Sequence, residues 1–337
     1  FYDLVIEVAI VRPGPIQVSV IVSNTCNLHC VMCPFHSLEI KPTHRTDFFR
    51  ERRLMTWEMM ERIAAECGSM GVPVKMGNVE EPLMHPRIVD FVRACRRSGV
   101  PSVHITTNAT LLTPAMGRSL LEAGLTSLYA SIDAARPDTY RRYRHAELDR
   151  VERNVRDFLE TRRAGGYACR VLASLVRNRG VTRDEEQEFV ARWMPSTDGV
   201  IFYHLAEYTS GNSRFEAVHE VARNKMREAG GRWACLNPWL EIRLLPDGNA
   251  YYCCEVISRL AFERQESTGQ FPRQTLAEIW RGEPFGALRR DLIANRFERW
   301  PACKHCGIWM AHVTESVQEG DRKITRNMIT EIHQHAS

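Results

Sequence analysis

The feature that most constrains this chain is an alternation of short apolar runs with amphipathic segments, sustained from residue 16 to residue 207. The runs are IQVSVIVS (16–23), VPVKM (72–76), SVHITT (102–107), TSLYASI (126–132), CRVLASLV (169–176) and GVIFYHLAE (199–207). Between them, helices are expected from Thr56 to Met70, over 86–97, from Pro114 to Gly124, over 136–163 and over 183–194. Six strands alternating with helices imply βαβ units and a parallel sheet. Such α/β folds place their ligands at the carboxyl ends of the strands. Beyond Trp233 the alternation breaks. WLEIRLLPDGNAYYCC reads as strand, Pro-Asp-Gly turn, strand, and two short helices follow over 275–281 and 285–295. The expected division is an α/β domain over 1–210, a linker with a charged helix over 211–234, a small α+β domain over 235–312 and a tail over 313–337.

Composition excludes several classes. With 337 residues, 44% hydrophobic and 26% charged, the chain can bury a core and is not of disordered or fibrous type. The net charge of +4, from 45 basic and 41 acidic residues, gives no concentrated basic face, so no nucleic acid partner is expected. No apolar run is long enough to span a membrane, and no secretory signal is seen, so a cytoplasmic location is expected. The basic stretch 38–53, with Lys41, His44, Arg45, Arg50, Arg52 and Arg53, reads either as a solvated connection or as a lid over substrate. Eleven cysteines is the unusual count. In a cytosolic protein they point to metal binding or catalysis rather than disulfides. Cys67, Cys95 and Cys169 sit among apolar neighbours and read as core. The others form two groups.

The first group, Cys26, Cys30 and Cys33, is a C-x₃-C-x₂-C motif in the loop directly after the first strand. Structural zinc takes four protein ligands. A four-iron cluster held by three thiolates leaves one iron open to another ligand. The motif resembles that of the radical S-adenosylmethionine enzymes, and the resemblance extends over most of the chain. Gly77–Pro82 is similar to the family's Gly-Gly-Glu-Pro motif, with Val79-Glu80 in place of the double glycine. That implies Glu81 as acceptor for the amino group of S-adenosyl-L-methionine. Thr106, Thr107 and Asn108 resemble the family's third-strand motif near the ribose, and Ser131 and Asp133 its further cofactor contacts. Val31 and Met32 stand where the family often has an aromatic residue. The resemblance implies a partial (β/α)₆ TIM-like barrel, a 4Fe-4S cluster on Cys26, Cys30 and Cys33, and hydrogen abstraction by a 5′-deoxyadenosyl radical. It also implies flavodoxin or ferredoxin as reductant.

The second group is Cys235, Cys253, Cys303 and Cys306, with Gly248 in the hairpin turn between the first two. Four such cysteines can close a zinc site or a cluster site. The spacing resembles the Twitch domain, the short form of SPASM, and implies one auxiliary 4Fe-4S cluster. Cys254 is expected beside Cys253 on a strand and therefore on the opposite face. It reads as a small core residue or as a hydrogen-atom donor. Cys306 is the other candidate donor, at the expense of its role as ligand. His29 and His36 lie in the first cysteine loop. Tyr203, Trp239, Tyr251 and Tyr252 line a pocket or pack the core.

The first cysteine stands close to residue 1, without room for a leader-binding domain, which favours a small-molecule substrate. Twitch-bearing relatives include aminocyclitol dehydrogenases and aminoglycoside or sugar epimerases of antibiotic biosynthesis. By that resemblance the substrate is a sugar, aminocyclitol or nucleoside-type intermediate attacked at a carbinol carbon, with epimerisation or oxidation as outcome. Decarboxylation or elimination on a sugar acid and modification of a ribosomal peptide remain open. The alternative from another class is a structural zinc or iron–sulfur protein without catalysis.

Overall fold

The structure is a computed structural model. It describes residues 14–39, 46–178, 180–204, 206–207, 214–215, 231–304, 306–327 and 329–336. Lys41, His44 and Arg45 of the basic stretch, and most of the charged linker helix, lie outside the described residues.

In chain order the elements are β1 (Gln17–Val20), α1 (Asp47–Arg50), α2 (Trp57–Met70), β2 (Val74–Met76), α3 (Ile88–Arg97), β3 (Val103–Thr107), α4 (Pro114–Glu122) and β4 (Ser127–Ser131). There follow α5 (Pro137–Arg144), α6 (Leu148–Ala164), β5 (Arg170–Arg177), α7 (Arg183–Trp193), β6 (Gly199–His204), β7 (Ala206–Glu207) and β8 (Arg214–Phe215). The C-terminal part holds β9 (Glu241–Leu244), β10 (Asn249–Tyr251), α8 (Cys254–Arg259), β11 (Gly269–Gln270), α9 (Leu276–Arg281), α10 (Glu283–Ile293), α11 (Pro301–Lys304), β12 (Glu315–Glu319), β13 (Arg322–Arg326) and β14 (Thr330–His335).

Strands β1 to β6 pair in sequence order, all parallel, as the alternation predicts. They form the α/β partial barrel expected from the resemblance. Helix starts follow local chemistry. Thr56, Thr113, Thr182 and Thr275 each accept a hydrogen bond from the backbone N–H three residues on, which satisfies one orphan donor of the first turn. The segment 136–163, expected to be mostly helical, holds α5 and α6, which are separated because His145 takes a left-handed conformation and ends α5.

An incomplete barrel has two open edges, and an open edge invites mispairing. Both are covered. On one side β9 runs parallel to β1, and the antiparallel β10 and β11 extend the sheet beyond it. On the other side β14 pairs antiparallel with β6, followed by β13 and β12. One sheet of twelve strands results. Two expectations are corrected here. Residues 313–337 are not a tail: they contain β12, β13 and β14. The C-terminal domain is not set apart from the barrel, because its hairpin β9–β10 continues the barrel sheet. Among the described residues, no helix is long and apolar enough to cross a membrane.

The inner strands alternate in a way that defines a lumen. Burial along β3 and β4 alternates strictly between fully and partly buried residues, in opposite phase. Val103, Ile105, Leu128 and Ala130 face the helices and are buried. His104, Thr106, Ser127, Tyr129 and Ser131 share the other face. The barrel therefore has an apolar outside under its helices and a polar inside.

Candidate active site

The first cysteine loop leaves β1 at the carboxyl end of the barrel, and several side chains fix its path. Asn24 donates through Nδ2 to the carbonyls of Phe48 and Glu51, and its Oδ1 accepts from the Arg53 N–H at 2.8 Å. His36 Nε2 meets the Val79 carbonyl at 2.8 Å, and His29 Nδ1 meets the His36 carbonyl at 3.0 Å. The two loop histidines are thus used as tethers. Glu80, a residue the sequence reading passed over, accepts from the backbone N–H groups of Val22 and Val79. It joins the end of β1 to the loop after β2, and burial pushes its carboxyl up to about 7.

Cys26, Cys30 and Cys33 are free and lie close enough for their charges to couple. Burial pushes Cys26 up to about 12 and Cys33 up to about 11. Thiols held so unfavourably for ionisation, yet grouped and met by donors, are suited to a soft metal centre that displaces their protons. The donors are specific. The Leu28 N–H lies 3.5 Å from Cys26 Sγ, and Asn108 Nδ2 lies 3.8 Å from it. Arg144 donates from Nη1 to Cys30 Sγ at 3.3 Å.

Arg144 was missed by the sequence reading. It stands at the end of α5, where the Tyr143 carbonyl also accepts from the Val31 N–H at 2.9 Å. Its Nη2 donates to the Ser131 carbonyl at 2.8 Å and forms an ion pair with Asp133. Asp133 in turn accepts from the Val176 N–H at 2.8 Å. The pair is almost fully buried, and the Arg144 Nε has no hydrogen-bond partner among the described residues.

Glu81 lies beside this loop, with its two oxygens taken up by Thr107 Oγ1 at 2.7 Å, the Asn108 N–H at 2.7 Å and the Leu83 N–H at 3.1 Å. Burial raises its carboxyl and these bonds oppose the rise. Thr107 and Asn108 therefore orient Glu81, while Thr106 lies on the lumen face, 2.9 Å from His104 Nε2. Asn108 Nδ2 also meets Asn27 Oδ1 at 2.9 Å, and Asn27 meets Thr110 at 2.7 Å. The structure thus brings Cys26, Cys30, Cys33, Glu81, Thr106, Thr107, Asn108, Ser131 and Asp133 to one end of the barrel. Two of the four positive-φ residues other than glycine among the described residues, Ala109 and Asp133, occupy the loops after β3 and β4 at this end. Strained backbone of this kind clusters at functional sites. Gly77, at φ 93°, ends β2 so close to β3 that a Cβ would fall 2.2 Å from the Thr106 carbonyl oxygen.

The second group also converges. Cys235, Cys253, Cys303 and Cys306 line one small cavity, together with Tyr252 and Trp309. Donors are again aimed at sulfur. Asn237 Nδ2 and the Glu255 N–H reach Cys253 Sγ at 3.4 and 3.3 Å, and the Ile308 N–H reaches Cys306 Sγ at 3.3 Å. Arg232 borders the cavity, with a buried Nε that has no partner. Among the described residues, no three Cys, His, Asp or Glu close around a single ion. Both donor sets consist of thiols alone, each with an arginine nearby, and both fit iron–sulfur clusters.

One expected detail changes. Cys253 and Cys254 are not on a strand: β10 ends at Tyr251, Cys253 caps α8, and Cys254 is the first helical residue. The cap is made by the Cys253 sulfur itself, which accepts from the Glu255 N–H. The two thiols share a hydrogen bond, which with Arg243 lowers the Cys254 thiol below its ordinary range. On its other side Cys254 comes within electrostatic reach of Lys75, Glu241 and Arg243 in the lumen. Of the aromatics expected near a pocket, Trp239, Tyr251 and Tyr252 are buried, and Tyr203 faces the lumen.

Comparison with known proteins agrees with this geometry. Residues 20–185 match the Radical SAM superfamily, and residues 235–307 match SPASM, an iron–sulfur cluster-binding domain. A GTP 3',8-cyclase of Heliobacterium modesticaldum is 29% identical over 216 residues, which cover 63% of this chain and 62% of that protein. The chain thus spans less than two thirds of that relative's length. Among solved structures, BtrN in complex with AdoMet and 2-DOIA is similar at a TM-score of 0.54 and 15% identity, covering 87% of this chain and 93% of BtrN. Streptococcus suis SuiB bound to precursor peptide SuiA is similar at 0.64 and 15% identity, covering 84% of this chain and 69% of SuiB. A radical SAM domain implies a 4Fe-4S cluster that binds S-adenosyl-L-methionine, and a SPASM domain implies an auxiliary iron–sulfur cluster. The chain joins a Radical SAM superfamily domain to a C-terminal SPASM iron–sulfur cluster-binding domain on one continuous sheet.

Proposed function

We propose that this protein is a radical S-adenosylmethionine enzyme that abstracts hydrogen from a carbinol carbon of a small polar substrate held in the barrel lumen. The observation that carries the reading is the convergence of two separate all-thiol sets on one continuous sheet. The C-x₃-C-x₂-C loop follows β1, and the four-cysteine cavity lies beyond β9 and β10, whose hairpin pairs with β1. When bound, S-adenosyl-L-methionine and the reduced cluster supply a 5′-deoxyadenosyl radical for the abstraction.

The protein's own residues have distinct tasks. Cys26, Cys30 and Cys33 would hold the first cluster. Glu81, oriented by Thr107 and Asn108, would fix the cofactor's amino group, with Thr106 and Ser131 beside it. Arg144 and Asp133 would secure the cluster loop from below. Cys235, Cys253, Cys303 and Cys306 would hold the auxiliary cluster. Because Cys306 faces the same cavity as the other three cysteines, its position favours a ligand over a hydrogen donor. Cys254, between that cavity and the lumen, is the better placed donor. A thiol that returns a hydrogen atom from the face opposite the abstraction would give epimerisation. Without that return, loss of the hydroxyl proton and of one further electron, for which an auxiliary cluster on Cys235, Cys253, Cys303 and Cys306 would be the acceptor, would give a ketone. The substrate proposed is a sugar, aminocyclitol or nucleoside-type compound, and the reductant a flavodoxin or ferredoxin.

A second reading, radical cyclisation of a purine nucleotide, is favoured by the similarity to proteins named GTP 3',8-cyclase. The test is anaerobic reconstitution with iron and sulfide, followed by incubation with S-adenosyl-L-methionine and dithionite. Formation of 5′-deoxyadenosine and methionine is expected, and a reconstituted protein that forms neither would refute the activity. With substrate in heavy water, carbon-bound deuterium that disappears in C254A supports epimerisation. Deuterium-free ketone supports oxidation, and consumption of GTP supports the cyclase reading.

A further inference from the structure

The lumen carries a charge arrangement that neither cluster site uses. Parallel pairing sets Arg243, Ser19, Lys75 and His104 in one row across β9, β1, β2 and β3. Ser19 registers with Arg243 on one side and with Lys75 on the other, and Lys75 registers with His104. At about 4.8 Å between strands, the α-carbons of Arg243 and Lys75 stand about 10 Å apart. Their side chains, both long, can meet on one group between them.

The charges in this row do not balance. Glu241 is the nearest carboxylate, and it is occupied. Its Oε1 accepts from Arg243 Nε at 2.8 Å and Nη2 at 2.5 Å, and its Oε2 accepts from Gln17 Nε2 at 2.9 Å and Ser19 Oγ at 3.0 Å. One carboxylate therefore answers one guanidinium. The Lys75 side chain makes no hydrogen bond or ion pair with a described residue. Enclosure and the neighbouring Arg243 lower its ammonium. Burial and the charges of Lys75 and Arg170 push His104 down to about 3, so this ring is neutral and adds no positive charge at neutral pH. Arg243 keeps its Nη1 free of any bond to a described residue. Among the described residues, Lys75 thus has Glu241 and the Cys254 thiol within electrostatic reach but no hydrogen-bonded counter-charge, because Glu241 is committed to Arg243. An enclosed ammonium without a counter-charge is costly, and an anion entering the lumen removes that cost.

We propose that Lys75 and Arg243 form an anion-binding subsite on the inner wall of the barrel, which holds a phosphate or carboxylate group of the substrate beside Cys254. The assignment of that anion to the substrate rests on the radical-enzyme reading above. Lys75 supplies a point charge with three donors, and Arg243 supplies the donors that Glu241 leaves free. Ser19 lies between them in the row, with its hydroxyl donating to Glu241. Glu241 holds Arg243 in place rather than binding the ligand.

The test uses the reconstituted full chain with S-adenosyl-L-methionine, titrated calorimetrically with inorganic pyrophosphate, glucuronate and glucose. The subsite predicts binding of at least one of the two anions and none of glucose. Pyrophosphate binding alone identifies a phosphate subsite, and glucuronate binding alone a carboxylate subsite. In K75M that affinity falls at least tenfold and loses part of its salt dependence, whereas K75R keeps it within a few-fold. Iron content equal to the parent shows that the variants are folded. No binding of either anion by the parent protein overturns the proposal, as does unchanged anion affinity in K75M. Formation of 5′-deoxyadenosine by the same parent preparation separates the two failures. If it forms while no anion binds, the subsite is wrong and the enzyme reading stands; if it does not form, the enzyme reading itself is wrong.

Discussion

Arg144 gives the sharpest energetic prediction. It is paired with Asp133 at side-chain exposures of 8% and 4%, and it donates to Cys30 Sγ and to the Ser131 carbonyl. Removing one member of a buried pair strands the other charge and costs about 3–5 kcal/mol. Asp133 retains one partner, the Val176 N–H at 2.8 Å. A hydrogen bond to a charged group contributes about 1.5–3 kcal/mol. The surviving bond keeps the loss near the lower end of the range, about 3 kcal/mol for R144M, whose apolar stem fills most of the vacated space. In the double variant R144M/D133N no charge is stranded. Asparagine also tolerates the left-handed backbone that Asp133 adopts at φ 65°. The double variant should therefore recover at least about 1.5 kcal/mol of the loss. Urea unfolding of the metal-free parent, R144M, D133N and the double variant, followed by tryptophan fluorescence, closes the cycle. If R144M lies within about 1 kcal/mol of the parent, or the double variant costs the sum of its parts, the pair is not acting as a buried ion pair.

Other predictions follow from single contacts. Loss of the Arg144–Cys30 bond in R144M raises electron density on that sulfur, so the reduction potential of the first cluster should move negative while that of the auxiliary cluster stays. Redox titration followed by electron paramagnetic resonance reads both potentials. Gly77→Ala places a Cβ against the Thr106 carbonyl at 2.2 Å and requires a positive φ, so it should cost about 2 kcal/mol or more and lower the thermal midpoint. At β14, burial opposes ionisation of Glu331, but His333, Arg177 and Arg326 outweigh it and depress its carboxyl. Below about pH 4.3 the unfolded chain takes up a proton that the folded chain does not, so this stabilisation is present at neutral pH and lost on acidification. Glu331→Gln should flatten that part of the stability–pH profile, and an unchanged profile would assign the acid sensitivity elsewhere. Thr275→Ala removes a full capping box from α9 and should cost about 1 kcal/mol by denaturant midpoint.

The barrel was legible because its strands face two environments. Outward residues such as Ile105 and Leu128 must be apolar under helices, and the runs they form recur at regular intervals. The first cysteine site was legible because Cys26, Cys30 and Cys33 lie close together in one loop, and the second because its C-x₂-C pair and hairpin spacing resemble a known pattern although its cysteines are far apart in sequence. Arg144 was not, because it lies 114 residues from Cys30 and reaches it through the end of α5. Nor was the β12–β14 meander. Its strands carry few apolar side chains: Ile324 is buried, but Val317 is exposed. A surface layer that covers an edge needs little hydrophobic signal. The strand expected for Cys253 and Cys254 failed at its end, where a sulfur acts as a helix cap that sequence patterns do not anticipate. The lumen charges Lys75, Glu241 and Arg243 were invisible for a related reason, since only the pairing of β9 with β1 brings them together.

The central claim is that two independent thiol sets hold two clusters. Iron analysis with electron paramagnetic resonance, on the intact chain and on a Cys26/Cys30/Cys33→Ala variant, tests it directly. The account predicts roughly eight irons in the intact protein and roughly four, with a reducible signal, in the variant. A variant that loses all its iron would show that the cavity of Cys235, Cys253, Cys303 and Cys306 holds no cluster of its own.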